Sequence, residues 1–122
     1  MNDTQTTVAD LRRAMARFVD ERRWQKFHRP KNLSMSLAIE AAELMEHFQW
    51  LTHQQADALL REKGARSDIA DEMADVLSFL LSMANATGID LAKAFETKMA
   101  KNEIKYPAEK VRGKYKKPGT RE

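Results

Sequence analysis

Apolar residues recur every three or four positions along most of the chain, which is the period of amphipathic helices. The stripes contain Val8, Leu11, Met15, Phe18 and Val19; positions 37, 41, 44, 45, 48 and 51; and Ile69, Met73, Val76, Leu77, Leu80, Leu81 and Ala84. Strand signals are absent, with no sustained alternation of apolar and polar residues and no hairpin dipeptide. The sequence therefore predicts an all-α protein, in which four main helices joined by short loops form an antiparallel bundle.

Capping residues and helix breakers predict where these helices begin and end. The expected N-terminal caps are Thr7 with Asp10, Asn32 or Ser34, Thr52 with Gln55, Ser67, and Asp90. The first helix is expected to end at residues 24–27, before the break at Pro30, and the second at Leu51. A short helix should end at residue 62, before a left-handed Gly64. The last two helices should end at Gly88 and at Lys105, which precedes Pro107. The third main helix is apolar most of the way round, so we expect it to be the central and most buried one.

Two pairs of carboxylates interrupt the apolar stripes at a spacing of three residues. Glu40 and Glu43 belong to the second helix, and Glu72 and Asp75 belong to the third. Side chains three apart lie side by side on a helix, where like charges repel unless a cation or solvent screens them. Carboxylate oxygens are the ligands of hard divalent cations. The sequence therefore predicts a cluster that binds Mg²⁺, for which Mn²⁺ can substitute.

The net charge of +3 is unevenly distributed along the 122 residues. Six basic and two acidic residues give residues 106–122 a charge of +4, which leaves −1 for residues 1–105. We therefore divide the chain into a helical domain (1–106) and a basic, flexible tail (107–122), because segments with many charges and few apolar residues are usually solvated and mobile. The alternative is that Lys110, Arg112 or Lys114 folds over an anionic ligand. No nucleic-acid-binding motif accompanies these residues, so no specific nucleic acid is expected as a partner.

Composition excludes several other classes of protein. The chain has no cysteine, which excludes disulfides and thiolate chemistry, and its three histidines are too scattered to predict a zinc site. No apolar run approaches the roughly 18 residues that span a bilayer, and the first 30 residues lack a signal-peptide pattern. We therefore expect a cytoplasmic protein with no membrane partner.

Five motifs occur together in a characteristic order. They are Trp24-x-x-Phe27-His28-x-Pro30-x-Asn32-Leu33, Glu40-x-x-Glu43, Phe48-Gln49-Trp50, Glu72-x-x-Asp75, and Lys98-x-x-x-Asn102-x-x-x-Tyr106-Pro107. On these motifs, which cover roughly residues 10–115, the chain resembles the MazG-like nucleotide pyrophosphohydrolases, and most closely the small dCTP pyrophosphatase branch. In many family members two adjacent glutamates open the first carboxylate motif. This chain differs from them, because Ile39 occupies the first of those two positions. The dCTP pyrophosphatase branch often lacks that glutamate too.

The resemblance implies hydrolysis of a nucleoside triphosphate, between its α and β phosphates, to the monophosphate and pyrophosphate. Glu40, Glu43, Glu72 and Asp75 are the expected metal ligands, and Glu43 is also the expected catalytic residue that orients or deprotonates the attacking water. The expected substrate-binding residues are Trp24, His28, Asn32, Trp50, Lys98, Asn102 and Tyr106. We interpret His47 and His53 as surface residues. The dCTPase-like motifs point to dCTP, or a modified dCTP, and to cleansing of the nucleotide pool.

Four helices in so short a chain leave little room to enclose a nucleotide. We therefore expect a homo-oligomer, at least a dimer, and the resemblance favours a tetramer. The alternatives are a broad-specificity MazG-type NTP pyrophosphatase and a non-catalytic helical interaction module whose basic tail binds RNA or a protein. A di-iron oxidase is disfavoured, because its helical bundle needs Glu-x-x-His pairs on two helices. Here the residue three before His47 is Leu44 and not a glutamate, and the residue three after Glu72 is Asp75 and not a histidine.

Overall fold

The computed structural model describes residues 1–114, and this part of the chain is built from helices joined by turns. The helices are α1 (Val8–Glu21), α2 (Pro30–Glu46), α3 (His53–Leu59), α4 (Lys63–Thr87), α5 (Leu91–Lys105) and α6 (Ala108–Val111). No strand occurs among the described residues, so the predicted all-α class is confirmed.

The helices fall into two compact units. Helices α1 to α4 form the first unit, Met1–Gly88, and α5 and α6 belong to the second, which begins at Ile89. Within the first unit α1 and α2 both pack against α4. Buried residues cluster on α4, among them Ile69, Leu81 and Ala84, which makes it the central helix that its apolar sequence predicts. The predicted boundary between residues 106 and 107 stays a prediction, and the tail residues Lys116, Lys117 and Arg121 lie outside the described residues.

Helix α1 begins as predicted and ends earlier than predicted. Thr7 and Asp10 form a reciprocal capping box, in which the Thr7 side chain accepts the Asp10 N–H and the Asp10 carboxylate accepts the Thr7 N–H. The helix ends at Glu21, because Arg23 adopts a left-handed conformation (φ 53°) and the Trp24 N–H turns back to the Val19 carbonyl. This backbone closure, which apolar periodicity does not reveal, places Trp24 in the turn beyond the helix.

Helix α2 begins at Pro30, so the prediction of a cap at Asn32 or Ser34 is wrong. Proline suits the first helical position, since its φ is already helical and the missing N–H would have no partner there. Arg29 becomes the N-cap residue, and it makes no side-chain cap. The helix ends at Glu46, and turns take the place of the predicted extension to Leu51.

Helix α3 begins with the predicted capping box of Thr52 and Gln55. It ends at Leu59, and a three-residue turn leads directly into α4 at Lys63, so the predictions of a stop at Gly64 and a cap at Ser67 are wrong. Both residues lie inside α4, whose packing against two other helices outweighs the weak helix propensity of a glycine. Helix α4 ends instead at its C-cap residue Gly88, which adopts the left-handed conformation (φ 72°) and was predicted as its end.

Helix α5 has the predicted bounds. The Asp90 side chain accepts the Lys93 N–H at its start, and Tyr106 is its C-cap residue before Pro107. In the described part of the chain, no helix has both the length and the apolar character needed to cross a membrane.

Candidate functional site

Three carboxylates meet where α2 packs against α4. Glu40 and Glu43 lie one turn apart on α2, and Glu72 projects from α4. One oxygen from each carboxylate lies within 4.8 Å of the other two. We call Glu40, Glu43 and Glu72 the carboxylate cluster. The two pairs that the sequence singled out therefore contribute to one site, because helix packing brings together residues that are about thirty positions apart.

The cluster has the chemical properties of a cation site. Oε2 of Glu40 and Oε2 of Glu72 are buried without a hydrogen-bond partner in the described residues. A buried carboxylate oxygen without a partner is costly, and a cation satisfies it. A set of oxygen-only ligands suits Mg²⁺ or another hard divalent ion. Glu40, Glu43 and Glu72 therefore fit a divalent metal.

The electrostatics of the cluster indicate the same need for positive charge. Burial, followed by the neighbouring Glu43 carboxylate, raises the pKa of Glu40 from 4.5 to about 7. Burial and Glu43 also raise the pKa of Glu72. Both carboxyl groups thus resist ionising when no cation is present, because taking on negative charge beside other carboxylates in a partly desolvated site is unfavourable.

Asp75, the fourth predicted ligand, lies just outside this group. It is one turn beyond Glu72 on α4 and is not one of the three residues whose oxygens converge. Its negative charge nevertheless contributes to the raised pKa of Glu40, so the two side chains interact electrostatically. Its role as a metal ligand stays a prediction.

His47, which we interpreted as a surface residue, lies beside the cluster instead. Its side chain is only 26% exposed, and its Nε2 is 3.7 Å from Oε1 of Glu72. The imidazole lowers the pKa of Glu72, against the stronger effects of burial and Glu43. The sequence held a signal for this placement, since His47 follows Glu43 by four residues and lies on the same helical face.

A cavity of about 550 Å³ opens between α1 and α4, next to the carboxylate cluster. Its walls are mostly apolar and aromatic, and are formed by Leu11, Ala14, Met15, Phe18, Trp24, His28, Ala74, Asp75, Leu77, Ser78, Phe79 and Leu81. We call this the aromatic cavity. Asp75 belongs both to its wall and to the electrostatic surroundings of Glu40, so the cavity and the cluster adjoin.

Four rings are arranged in series along this cavity. The His28 ring stacks on Trp24 with 6.4 Å between centroids, and on Phe79 with 6.3 Å. The Phe18 ring in turn meets Trp24 edge-on, with 5.9 Å between centroids. Trp24 is 42% exposed, so part of its surface is open to a ligand. The structure thus brings together Trp24 and His28, two of the predicted substrate-binding residues.

Sequence reasoning missed Ser82, which holds the His28 ring from α4. Its Oγ lies 2.8 Å from Nδ1 of His28, and the residue is 4% exposed. Nothing in the sequence distinguishes this serine from any other polar residue in the apolar stretch of α4. Only the packing of the turn before α2 against α4 identifies it.

The other predicted substrate-binding residues of the first unit lie elsewhere. Asn32 is exposed and donates a side-chain N–H to the Phe27 carbonyl at 3.3 Å. Trp50 is 86% exposed, in the turns between α2 and α3. Neither residue lines the aromatic cavity, and their contact with substrate stays a prediction.

The remaining three predicted residues belong to the second unit. Lys98 and Asn102 lie four apart on α5, and Lys98 borders a shallow cavity of about 430 Å³ with Lys93 and Lys101. The Asn102 carbonyl accepts the N–H of Tyr106, the C-cap residue, at 2.7 Å. This arrangement keeps the three residues near one another, and their contact with substrate stays a prediction.

Comparison with known proteins gives related results by sequence and by structure. Residues 35–119 match the MazG-like family. The chain is 36% identical over 107 residues to dCTP pyrophosphatase 1 of Rattus norvegicus, covering 88% of this chain and 63% of the rat protein. It is 37% identical over 111 residues to dCTP pyrophosphatase 1 of Homo sapiens, covering 91% of this chain and 65% of the human protein. The chain thus spans less than two thirds of the length of these curated relatives.

One solved structure resembles this chain over nearly the whole length of the solved protein. It is the crystal structure of a pyrophosphatase from Archaeoglobus fulgidus, which is 36% identical and superposes with a TM-score of 0.78, covering 88% of this chain and 98% of the archaeal one. The motifs that suggested the resemblance, the all-helical fold and these matches agree. The chain belongs to the MazG-like family.

Proposed function

We propose that this chain is a divalent-metal-dependent nucleoside triphosphate pyrophosphohydrolase, which releases a nucleoside monophosphate and pyrophosphate. The observation that carries the proposal is the junction at Asp75, where a cluster suited to cations adjoins a cavity suited to an aromatic ring. A nucleoside triphosphate combines these two chemistries in one molecule. The pyrophosphatase from Archaeoglobus fulgidus and the rat and human dCTP pyrophosphatases, all similar in sequence, support the same activity.

Glu40, Glu43 and Glu72 would hold the metal, with Asp75 as a further ligand on the side of the aromatic cavity. Bound Mg²⁺, or Mn²⁺ as a substitute, supplies neutralisation of the phosphate charge and acidification of water. In this proposal Glu43 orients the attacking water and accepts its proton. Trp24 stacks on the base, which positions the phosphates toward the carboxylates.

We infer that the substrate is a pyrimidine deoxynucleotide, dCTP or a modified dCTP, and that the reaction cleanses the nucleotide pool of the cytoplasm. The similarity to the rat and human dCTP pyrophosphatases supports dCTP. The alternative is broad specificity, which a mainly apolar and aromatic wall also favours, since stacking tolerates any base. Lys98, Asn102 and Tyr106 are proposed to contact phosphate or sugar.

We also propose that the chain acts as a homo-oligomer, at least a dimer, with a tetramer favoured by the family resemblance. Large apolar side chains are exposed on both helices that carry the carboxylate cluster. Examples are Met35, Ile39 and Met45 on α2 and Met73 on α4, which are 50%, 59%, 55% and 58% exposed. Extensive exposed apolar surface is typical of an interaction site. Light scattering tests this: an active particle of 14 kDa would contradict it.

The decisive experiment measures pyrophosphate release from dCTP, dTTP, dUTP, dATP and dGTP, with Mg²⁺ and with EDTA. We expect turnover with Mg²⁺ only, with dCTP giving the highest kcat/KM. A purine within about threefold of dCTP, which is well under 1 kcal/mol of discrimination, would establish the broad-specificity alternative. Absence of turnover on all five triphosphates with either Mg²⁺ or Mn²⁺ would contradict the proposed function itself.

A further inference from the structure

His28 is held on three sides by the protein. The rings of Trp24 and Phe79 lie nearly parallel to it, with interplanar angles of 15° and 26°, and Ser82 contacts one edge through Nδ1. A neutral imidazole carries one proton, so one ring nitrogen donates a hydrogen bond and the other accepts one. The hydrogen-bond partner of one ring nitrogen determines whether the other nitrogen carries the proton and donates. The contact with Ser82 therefore determines what His28 offers to a ligand.

The surroundings of Ser82 decide the direction of this hydrogen bond. Serine and threonine hydroxyls within helices often donate to the carbonyl four residues earlier, and Ser78 and Thr87 on the same helix do so at 2.8 Å. Ser82 does not: among the described residues its Oγ bonds only to Nδ1 of His28. A nearly buried hydroxyl proton needs an acceptor, and Nδ1 is the acceptor within reach.

We propose that Ser82 is a positioning residue that donates its hydroxyl proton to Nδ1 of His28 and so fixes the ring as the Nε2–H tautomer. His28 then acts as a hydrogen-bond donor in the aromatic cavity. Burial lowers the pKa of His28, which favours the neutral ring that this arrangement needs. Nε2 has no hydrogen-bond partner in the described part of the chain and is not buried, so its N–H remains available to a ligand.

The chemistry of the ligand group follows from this assignment, and this step rests on the proposed function. An N–H at Nε2 pairs with an acceptor, and the acceptor that cytosine, thymine and uracil share is the carbonyl oxygen at position 2 of the ring. Cytosine also accepts at N3, and thymine and uracil also accept at the carbonyl of position 4. It does not pair with the exocyclic amine of cytosine, which is itself a donor. We assign the shared carbonyl as the partner of Nε2, so that His28 recognises a feature common to all pyrimidines and another group discriminates between dCTP and dTTP. A bond to N3 would instead favour dCTP alone, since N3 of thymine and uracil is a donor.

The tautomer is measured without substrate or metal by ¹⁵N NMR of the imidazole nitrogens, in which the unprotonated nitrogen resonates far downfield of the protonated one. The signals of His28 are those missing from a His28→Gln variant. We expect Nδ1 of His28 to be the unprotonated nitrogen in the unchanged protein. Ser82→Ala should give a mixture of tautomers, and Ser82→Thr, which keeps the hydroxyl beside a cavity of about 240 Å³, should restore the single form.

Ser34→Ala is a matched control. It also removes a helical serine hydroxyl, but this one donates to the Lys31 carbonyl and does not contact His28. It should leave the His28 spectrum unchanged. A proton on Nδ1 in the unchanged protein would overturn the proposal, because it would mean that the hydroxyl donates to water in the adjoining cavity and accepts from the ring. An unchanged spectrum in Ser82→Ala would overturn it as well.

Kinetics test the ligand step separately. Ser82→Ala should raise KM for dCTP, dTTP and dUTP by the same factor, about twofold for an equal mixture of tautomers, with little change in kcat, because only the ring that carries its proton on Nε2 binds the base. Ser82→Thr should return KM to the original value. A rise confined to dCTP would contradict recognition of the shared carbonyl, and an unchanged KM would contradict any contact of His28 with the base. If no triphosphate is hydrolysed, the proposed function and this ligand step fail together, while the NMR result still decides the tautomer.

Discussion

The carboxylate cluster and the aromatic cavity share helix α4, and they differ in whether their polar groups already have partners within the protein. Two cluster oxygens, on Glu40 and Glu72, are buried without partners beside like charges. In the cavity, by contrast, the His28 ring contacts two aromatic rings and is hydrogen-bonded through Nδ1. The cluster is therefore completed only by a cation, whereas the cavity is already formed. We expect changes in the cluster to affect turnover and metal response, and changes in the cavity to affect substrate affinity.

The largest expected effect is on turnover, in Glu43→Gln. The substitution removes a charge with almost no change of volume, so the fold should persist while kcat falls about 10²-fold or more. Glu46→Gln is the matched control, since Glu46 is an exposed glutamate one turn further along α2 and should leave kcat unchanged. Full activity in Glu43→Gln would remove this residue from the proposed mechanism.

The second effect is stabilisation by Mg²⁺ in the absence of nucleotide. A cation that binds only the folded state stabilises it by about 2.7 kcal/mol when its free concentration is a hundred times Kd. The melting temperature should therefore rise with Mg²⁺ in the unchanged protein and much less in Glu40→Gln. Trp24→Ala should keep the full response, because the indole ring of Trp24 is not a proposed metal ligand. An equal response in all three proteins would show that Mg²⁺ binds elsewhere.

The third effect is on affinity, in Trp24→Ala. Loss of a stacking surface should cost about 1–3 kcal/mol of substrate binding, seen as a higher KM with a smaller change in kcat. Trp24→Phe keeps an aromatic face and should recover part of the loss. If Trp24→Ala lowered kcat as strongly as Glu43→Gln while KM stayed constant, the separation between the two regions would be wrong.

The smallest expected effect is the pH dependence of stability without metal. The pKa of Glu40 is about 7 in the folded protein against 4.5 ordinarily, so between these values the folded state binds more protons than the unfolded state. Stability should therefore fall as pH rises from about 4.5 through 7, and the raised pKa of Glu72 acts in the same direction. Chemical denaturation at several pH values in EDTA measures this.

The same measurement with saturating Mg²⁺ sharpens the comparison. A cation competes with the protons on these carboxyl groups, so its affinity should increase as pH rises through 7 and offset the loss of stability. Glu40→Gln should flatten the profile in EDTA. A steep profile that persists in this variant would assign the pH dependence to another group.

Local rules predicted much of the fold correctly, and failed where packing outweighs them. Caps at Thr7, Thr52 and Asp90 were found from sequence because a capping side chain bonds within three residues of itself. Gly64 failed as a helix stop because the packing of α4 absorbs its weak helix propensity. The end of α1 was missed because it depends on a left-handed arginine, a residue type that carries no such signal.

The site divides in the same way. The sequence by itself determined the all-helical class, the two carboxylate pairs and their family, since each is read from spacing within one helix or one motif. Only the tertiary structure decided which three of the four predicted carboxylates converge, that His47 lies beside them, and that Ser82 contacts His28. These are contacts between distant positions on different segments. Periodicity states which face of a helix is apolar, but the pairing of two faces is set by how all their side chains pack together.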